Sequence, residues 1–94
     1  MTIKIKFVGP FRHVAGIEKM GLDRKKEAPL QEVLLDIIKE IPALKETLSY
    51  RSSDDARTNV LILVNGREIS ALEGLETVVK DEDEIVFVPV VHGG

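Results

Sequence analysis

The sequence contains no cysteine. This absence excludes disulfides, thiolate metal sites and cysteine nucleophiles. No apolar run approaches the roughly 20 residues of a membrane-spanning helix. The N-terminus has no apolar signal-peptide core, because lysines alternate with isoleucines over residues 3–6. These absences lead us to expect a cytoplasmic protein that does not interact with membranes.

The chain also lacks a surplus of positive charge. Thirteen Lys and Arg stand against 16 Asp and Glu, giving a net charge of −3. This balance weighs against direct binding of nucleic acid, which needs a basic face.

Recognisable catalytic or metal-binding constellations are absent as well. The two histidines, His13 and His92, have no further ligands at a suitable spacing, so we predict no metal site. No Ser/His/Asp set, phosphate loop or paired-carboxylate site stands out. We therefore predict no catalytic residues, and do not expect the chain alone to be an enzyme.

What the sequence does contain is ordinary globular composition, with 44% hydrophobic and 31% charged residues over 94 positions. That length favours one small domain. We assign residues 1–94 to a single domain, with residues 91–94 as a flexible C-terminal tail.

Two strands are predicted in the first part of the chain. Residues 2–8 alternate, with the odd-numbered side chains from Ile3 to Phe7 on one side, as in a half-buried strand. Residues 11–16 then predict a turn, and residues 17–22 a second strand.

One helix is predicted next. Pro29 suits the first helical position, and Pro42 marks the end. Between them the apolar residues follow helical spacing, at Leu30, Val33, Leu34, Ile37, Ile38 and Ile41.

Three further strands are predicted in the C-terminal part. Residues 60–64 form a continuous apolar run, which predicts a strand buried on both faces. The Asn65-Gly66 pair predicts a hairpin turn, residues 67–69 a short return strand, and residues 84–90 the final strand.

The order strand, strand, helix, strand, short strand, strand indicates an α+β fold. One helix cannot cover both faces of a sheet, so one face stays open. The alternation places Val8, Val86 and Val88 on that open face. Grouped valines suggest a docking surface, but sheets commonly expose some valines without any function. Both interpretations stay open.

The C-terminal end gives the main functional indication. The final strand leads directly to Gly93 and Gly94, a pair that chance produces about once in 200 chains. A carboxylate becomes an acyl donor only after activation, typically as an adenylate. Glycine lacks a Cβ, so a terminus of two glycines could enter a narrow channel in an activating enzyme. Residues 90–94 could reach about 17 Å into a partner when extended.

Several short motifs spread over almost the whole chain form a recognisable set: Phe7, Arg12, Gly16, Ile41-Pro42-Ala43-Leu44, Leu63-Val64-Asn65-Gly66, Glu84-Ile85-Val86-Phe87-Val88-Pro89 and Gly93-Gly94. With these motifs the sequence resembles the β-grasp, ubiquitin-like sulfur carriers. This family includes the small subunit of molybdopterin synthase, the thiamin-pathway carrier and the ubiquitin-like modifiers of archaea and eukaryotes.

The resemblance implies a mixed sheet of four to five strands with one main helix packed on one face. It also implies that Gly94 is adenylated by a ubiquitin-activating-like enzyme using ATP and magnesium, then converted to a thiocarboxylate. The chain itself would bind no cofactor tightly. The tail residues Val91, His92 and Gly93 would thread into a partner site.

The partners implied are that adenylyltransferase and a sulfur acceptor such as the large subunit of molybdopterin synthase. The predicted docking residues are Val8, Arg12, Arg67, Val86 and Val88. Sulfur on the main-chain carboxylate is consistent with a sequence that has no cysteine.

Two departures from the family pattern bear on this interpretation. Glu82 stands where the family usually places glycine, which implies a different turn or some strain. His92 before Gly-Gly is more similar to the modifier branch. Three hypotheses therefore stay open: a sulfur carrier for molybdopterin, a modifier conjugated to lysines or serving tRNA thiolation, and a β-grasp binding module with an inert tail.

Overall fold

The centre of the fold is a mixed five-stranded sheet. The computed structural model describes residues 1–48 and 60–90. The described elements, in chain order, are β1 (Thr2–Phe7), α1 (Pro10–Ala15), β2 (Lys19–Asp23), β3 (Ala28–Pro29), α2 (Leu30–Glu40), β4 (Val60–Val64), β5 (Arg67–Glu68), β6 (Val78–Val79) and β7 (Glu84–Pro89). Single 3₁₀ turns follow α2 at Pro42–Leu44 and β5 at Ile69–Ala71 and Gly74–Glu76.

The strand order is β2-β1-β7-β4-β5, with a separate small sheet of β3 and β6. β7 is the central strand, parallel to β1 and antiparallel to β4. Helix α2 packs its apolar stripe onto one face of the sheet, where all core residues collect. The expected α+β architecture with one main helix is therefore confirmed.

Two phenylalanines hold the middle of the core together. Phe7 of β1 and Phe87 of β7 are register partners, and their rings stack with centroids 5.6 Å apart. Both are almost fully buried. Among the described residues no polar or charged side chain is buried, so this core is wholly apolar.

Several element predictions are wrong in detail. The predicted turn over residues 11–16 is instead a short helix, α1, with Gly9 and Gly16 at its two ends, both at positive φ. Pro29 caps α2 rather than opening it, since its extended backbone also pairs with Val78 in the small sheet. Neither β3 nor β6 is predicted from the sequence.

Strand β4 is buried on one face only. Its burial alternates, and Leu61 in its middle is 38% exposed. The continuous apolar run led to the wrong prediction of burial on both sides. The cause is that helix α2 covers a single face of the sheet, so the even-numbered residues Val60, Ile62 and Val64 face the core.

The Asn65-Gly66 turn is confirmed and does more than reverse the chain. Both residues have positive φ, as a type I′ turn requires. The Asn65 side chain donates to Asp83 Oδ1 and accepts from the Glu84 backbone N–H, each at 2.9 Å. These bonds attach the hairpin to the start of β7.

Replacing Asn65 by alanine should therefore destabilise the fold by about 2 kcal/mol, through two lost hydrogen bonds and a strained positive φ. The control Asn65→Gly keeps the backbone conformation and should lose about half as much. Chemical denaturation of both variants checks this. Equal losses in the two variants would mean that the positive φ of residue 65 contributes nothing, whereas an Asn65→Gly variant as stable as wild type would mean that the side-chain bonds contribute nothing.

The acidic turn before β7 is tied to the sheet rather than only solvated. The Thr2 N–H donates to Asp81 Oδ1, and the Lys80 N–H donates to Asp83 Oδ2. Glu82, at the usual glycine position, adopts φ 69°. The left-handed turn is thus retained, with a glutamate in a conformation that costs an L-residue about 1 kcal/mol or more.

Glu82→Gly should stabilise the protein by about 0.5 to 1 kcal/mol, because relief of the positive φ outweighs the added chain entropy. The lost ion pair to Lys4, at 3.1 Å and well exposed, contributes little. Glu82→Gln keeps the strained backbone and should show no gain. A thermal melt in which Gly and Gln variants coincide would contradict this explanation.

Candidate functional site: the open sheet face and the exit of the tail

The tail follows the central strand in the chain, and we call the end of β7 the tail exit. β7 ends at Pro89, beside the point where β1 gives way to α1. The Val8 N–H donates to the Phe87 carbonyl at 3.0 Å, so the backbone pairing extends beyond β1. A Cβ added to Gly9 would lie 3.4 Å from Pro89 Cγ. Gly9, at φ 61°, thus brings α1 close to the exit.

The predicted tail residues Val91, His92, Gly93 and Gly94 lie outside the described residues. Val90 is the last residue described and is partly buried. The structure describes the strand before the tail: β7 is paired with β1 on one side and with β4 on the other.

The open face carries an apolar strip across three strands. In the register, Val86 lies between Lys6 and Leu63, and Val88 lies opposite Leu61. Val8 continues the same face of β1 and is 39% exposed. We call this set the open-face strip: Val8, Leu61, Leu63, Val86 and Val88.

The structure brings the three predicted valines together, as the alternation indicated. It also adds two residues that the sequence interpretation missed, Leu61 and Leu63. Both residues could have been predicted from the sequence. A single helix covers one face of the sheet, so alternate residues of β4 must lie on the uncovered face. The continuous apolar run concealed that alternation.

The two predicted arginines lie in different places. Arg12 is exposed on α1, one turn after Gly9 and so near the tail exit. Arg67 pairs with Val64, which pairs in turn with Ile85 at the start of β7. Arg67 is therefore at the opposite end of the sheet from the exit, beside a core-facing residue, and is not part of the open-face strip.

The described residues were also compared with the requirements of a metal site and of a membrane span. No group of three or more His, Cys, Asp or Glu lies within them in an arrangement that could hold a metal ion. His13 is exposed on α1. No helix among the described residues is long and apolar enough to cross a membrane.

The family-model comparison decides which proteins share this arrangement. The model described as the ThiS family matches residues 5–94, nearly the whole chain and including both C-terminal glycines. The chain belongs to the ThiS family. It is a member of the β-grasp sulfur carriers and ubiquitin-like modifiers that the sequence resembled.

The similar proteins include both a sulfur carrier and a modifier. A putative sulfur carrier protein of Archaeoglobus fulgidus is 51% identical over the full length of both chains. Small archaeal modifier protein 3 of Haloferax volcanii is 29% identical, again over both full lengths.

Solved structures confirm the β-grasp fold. Small archaeal modifier protein 1 of Methanosarcina acetivorans superposes with a TM-score of 0.78 at 35% identity, covering 99% of this chain and 96% of that one. A putative molybdopterin converting factor, subunit 1, of Pyrococcus furiosus also gives 0.78, at 26% identity and 97% and 99% coverage.

Proposed function

We propose that this ThiS-family chain is a sulfur carrier whose Gly94 carboxylate is adenylated and then converted to a thiocarboxylate. The family match that reaches Gly94 is the observation that carries the proposal. The central position of β7, which directs the chain toward the tail beside an open apolar face, supports it.

The chemistry needs no catalytic residue from this chain. A partner adenylyltransferase joins the Gly94 carboxylate to AMP from ATP, with magnesium, and releases pyrophosphate. A sulfur nucleophile then attacks the acyl carbon and AMP leaves. The carrier's task is to present a narrow, extended terminus, and the two glycines lack the Cβ atoms that would widen it.

We assign the open-face strip, with Arg12, to docking of the partner enzymes. The strip adjoins the tail exit, so a partner that covers it receives the tail at the edge of the contact. The recipient we propose is the large subunit of a molybdopterin synthase, where the sulfur would build the dithiolene. The structural likeness to the molybdopterin converting factor subunit supports this choice.

The test is the intact mass of the protein after incubation with its host's activating enzyme, ATP, magnesium and a sulfur donor. Replacement of one carboxylate oxygen by sulfur is the expected result. Transfer of that sulfur to the dithiolene precursor, with the large synthase subunit present, tests the recipient. An unchanged terminus would overturn the proposal and favour a binding module with an inert tail.

A second candidate function is conjugation to lysines of target proteins, or service in tRNA thiolation. The full-length similarity to a small archaeal modifier favours it, as does His92 before the two glycines. The distinguishing observation is a set of covalent, higher-mass species in host lysates that disappears when Gly94 is deleted. Adenylation without sulfur uptake would favour this function over the first.

A further inference from the structure

Two lysines face each other on the open side of the sheet. Lys6 of β1 and Lys19 of β2 are direct register partners, so their side chains lie on the same face. Both are exposed. Like charges directly opposite each other in an antiparallel pair destabilise it. The fold therefore retains an arrangement that local energetics disfavour, which is commonly a sign of function.

The neighbouring Lys4 shows that this sheet can balance its charges. Lys4 Nζ lies 3.1 Å from Glu82 Oε2, and Lys4 is the register partner of Glu84. Within residues 1–48 and 60–90, by contrast, neither Lys6 nor Lys19 has a carboxylate within ion-pairing distance. Two positive charges at this position are thus left for an outside partner.

The position of the pair relates it to the tail. β1 and β7 are parallel and β2 is antiparallel to them, so the end of β1 and the start of β2 lie at the tail-exit end of the sheet. Lys6 is also the register partner of Val86, a member of the open-face strip. The two lysines line a shallow groove together with Lys4 and Glu84, so three lysines stand against one carboxylate there.

We propose that Lys6 and Lys19 form an electrostatic anchor for carboxylates on the activating enzyme, placed at the border of its apolar contact with the open-face strip. This inference rests on the proposed function for the choice of partner. It specifies that the enzyme's contact surface combines an apolar centre with Asp or Glu beside it. Charges at such a rim accelerate association and fix orientation.

The same chemistry argues against two other anionic partners. Single-stranded nucleic acid is bound largely by aromatic stacking, and the aromatic side chains among the described residues, Phe7, Phe11 and Phe87, are all buried; duplex binding needs a surplus of positive charge, which the chain lacks. Attraction to an anionic membrane contributes only about 1 kcal/mol of binding free energy per lysine near the surface. Two lysines on a chain of net charge −3 would therefore not hold the protein on a membrane. A protein surface with carboxylates fits both the charge and the strip.

The test compares Lys6→Gln/Lys19→Gln with wild type in binding to the activating enzyme, at low and high salt. We expect affinity to fall about tenfold at low salt, mainly through slower association, with much less loss at high salt. Lys6→Glu/Lys19→Glu should weaken binding about 100-fold, since like charges would then meet.

A matched control is Lys25→Gln/Lys26→Gln, which makes the same change in net charge. These exposed lysines follow β2 at the end of the sheet opposite the tail exit. Their loss should leave affinity within about twofold of wild type. An equal loss in both double variants would show a general charge effect and overturn the anchor.

Thermal unfolding separates recognition from structure. Removing the like-charge pair should leave the Tm unchanged or raise it by about 1 to 2 °C. A lower Tm together with weaker binding would indicate a structural role for the lysines and overturn the inference. So would preferential binding of the wild type to single-stranded DNA or to vesicles of phosphatidylserine, lost in Lys6→Gln/Lys19→Gln.

The outcomes distinguish this inference from the proposed function. If the wild type gains sulfur but Lys6→Gln/Lys19→Gln binds the enzyme equally well, the anchor is wrong and the function stands. If the wild type binds through the lysines but its terminus stays unmodified, the function is wrong and the anchor stands. Absence of any complex with the wild type overturns both.

Discussion

Deletion of Gly94 is expected to abolish thiocarboxylate formation while leaving the fold intact. The shortened chain would end about 3.5 Å earlier, and misplacement of a reacting atom by even 1 Å can cost about 100-fold in rate. We expect the fold to persist because, up to the last described residue, Val90, the final almost fully buried side chain is Phe87. Intact mass after activation measures thiocarboxylate formation, and the circular dichroism spectrum measures whether the fold is retained.

A matched variant, Gly94→Ala, tests why the last residue is glycine. It restores the length of the tail but adds a Cβ, so it should retain adenylation only weakly if the partner channel is narrow. Activity equal to wild type would show that only length matters. A deletion variant that still acquires sulfur would contradict the role of Gly94 itself.

The alternation of side chains made the centre of this fold predictable. Ile3, Ile5 and Phe7 in β1, and Ile85 and Phe87 in β7, all lie in the core, as the period of two requires. The same period placed the valines on the open face. These predictions succeeded because burial of one sheet face dominates the energetics of both strands.

The remaining elements depend on contacts that a local pattern does not contain. Helix α1 is too short to show an apolar stripe, and no side-chain cap marks its start. Strands β3 and β6 have two residues each and exist through their pairing. The Lys6–Lys19 opposition follows from the register between β1 and β2, which a strand's own sequence does not specify.

The family resemblance and the geometry contributed different parts of the site. The Gly-Gly terminus and its expected chemistry came from the sequence and the resemblance. The composition of the open-face strip follows from the sheet order, since Leu61 and Leu63 belong to it only because β4 lies next to β7. The sheet order also excludes Arg67 from the open-face strip, because β5 places this residue at the end of the sheet opposite the tail exit.

Val88→Asp is expected to prevent docking of the activating enzyme. Val88 lies opposite Leu61 on the central strand, close to the tail exit. A carboxylate buried there without a partner would cost several kcal/mol, which corresponds to a loss of affinity of at least about 100-fold. Sulfur uptake should fall with it, since the tail would no longer be delivered.

The matched control for Val88→Asp is Leu35→Asp on helix α2. Leu35 is 59% exposed and lies on the helix side of the sheet, away from the open-face strip. The same charge placed at Leu35 should leave the affinity for the activating enzyme unchanged. Because aspartate is a poor strand residue, Val88→Thr provides a milder variant of the same shape, which should keep the fold and weaken binding by less. Binding of folded Val88→Asp with wild-type affinity would show that the enzyme contacts another face.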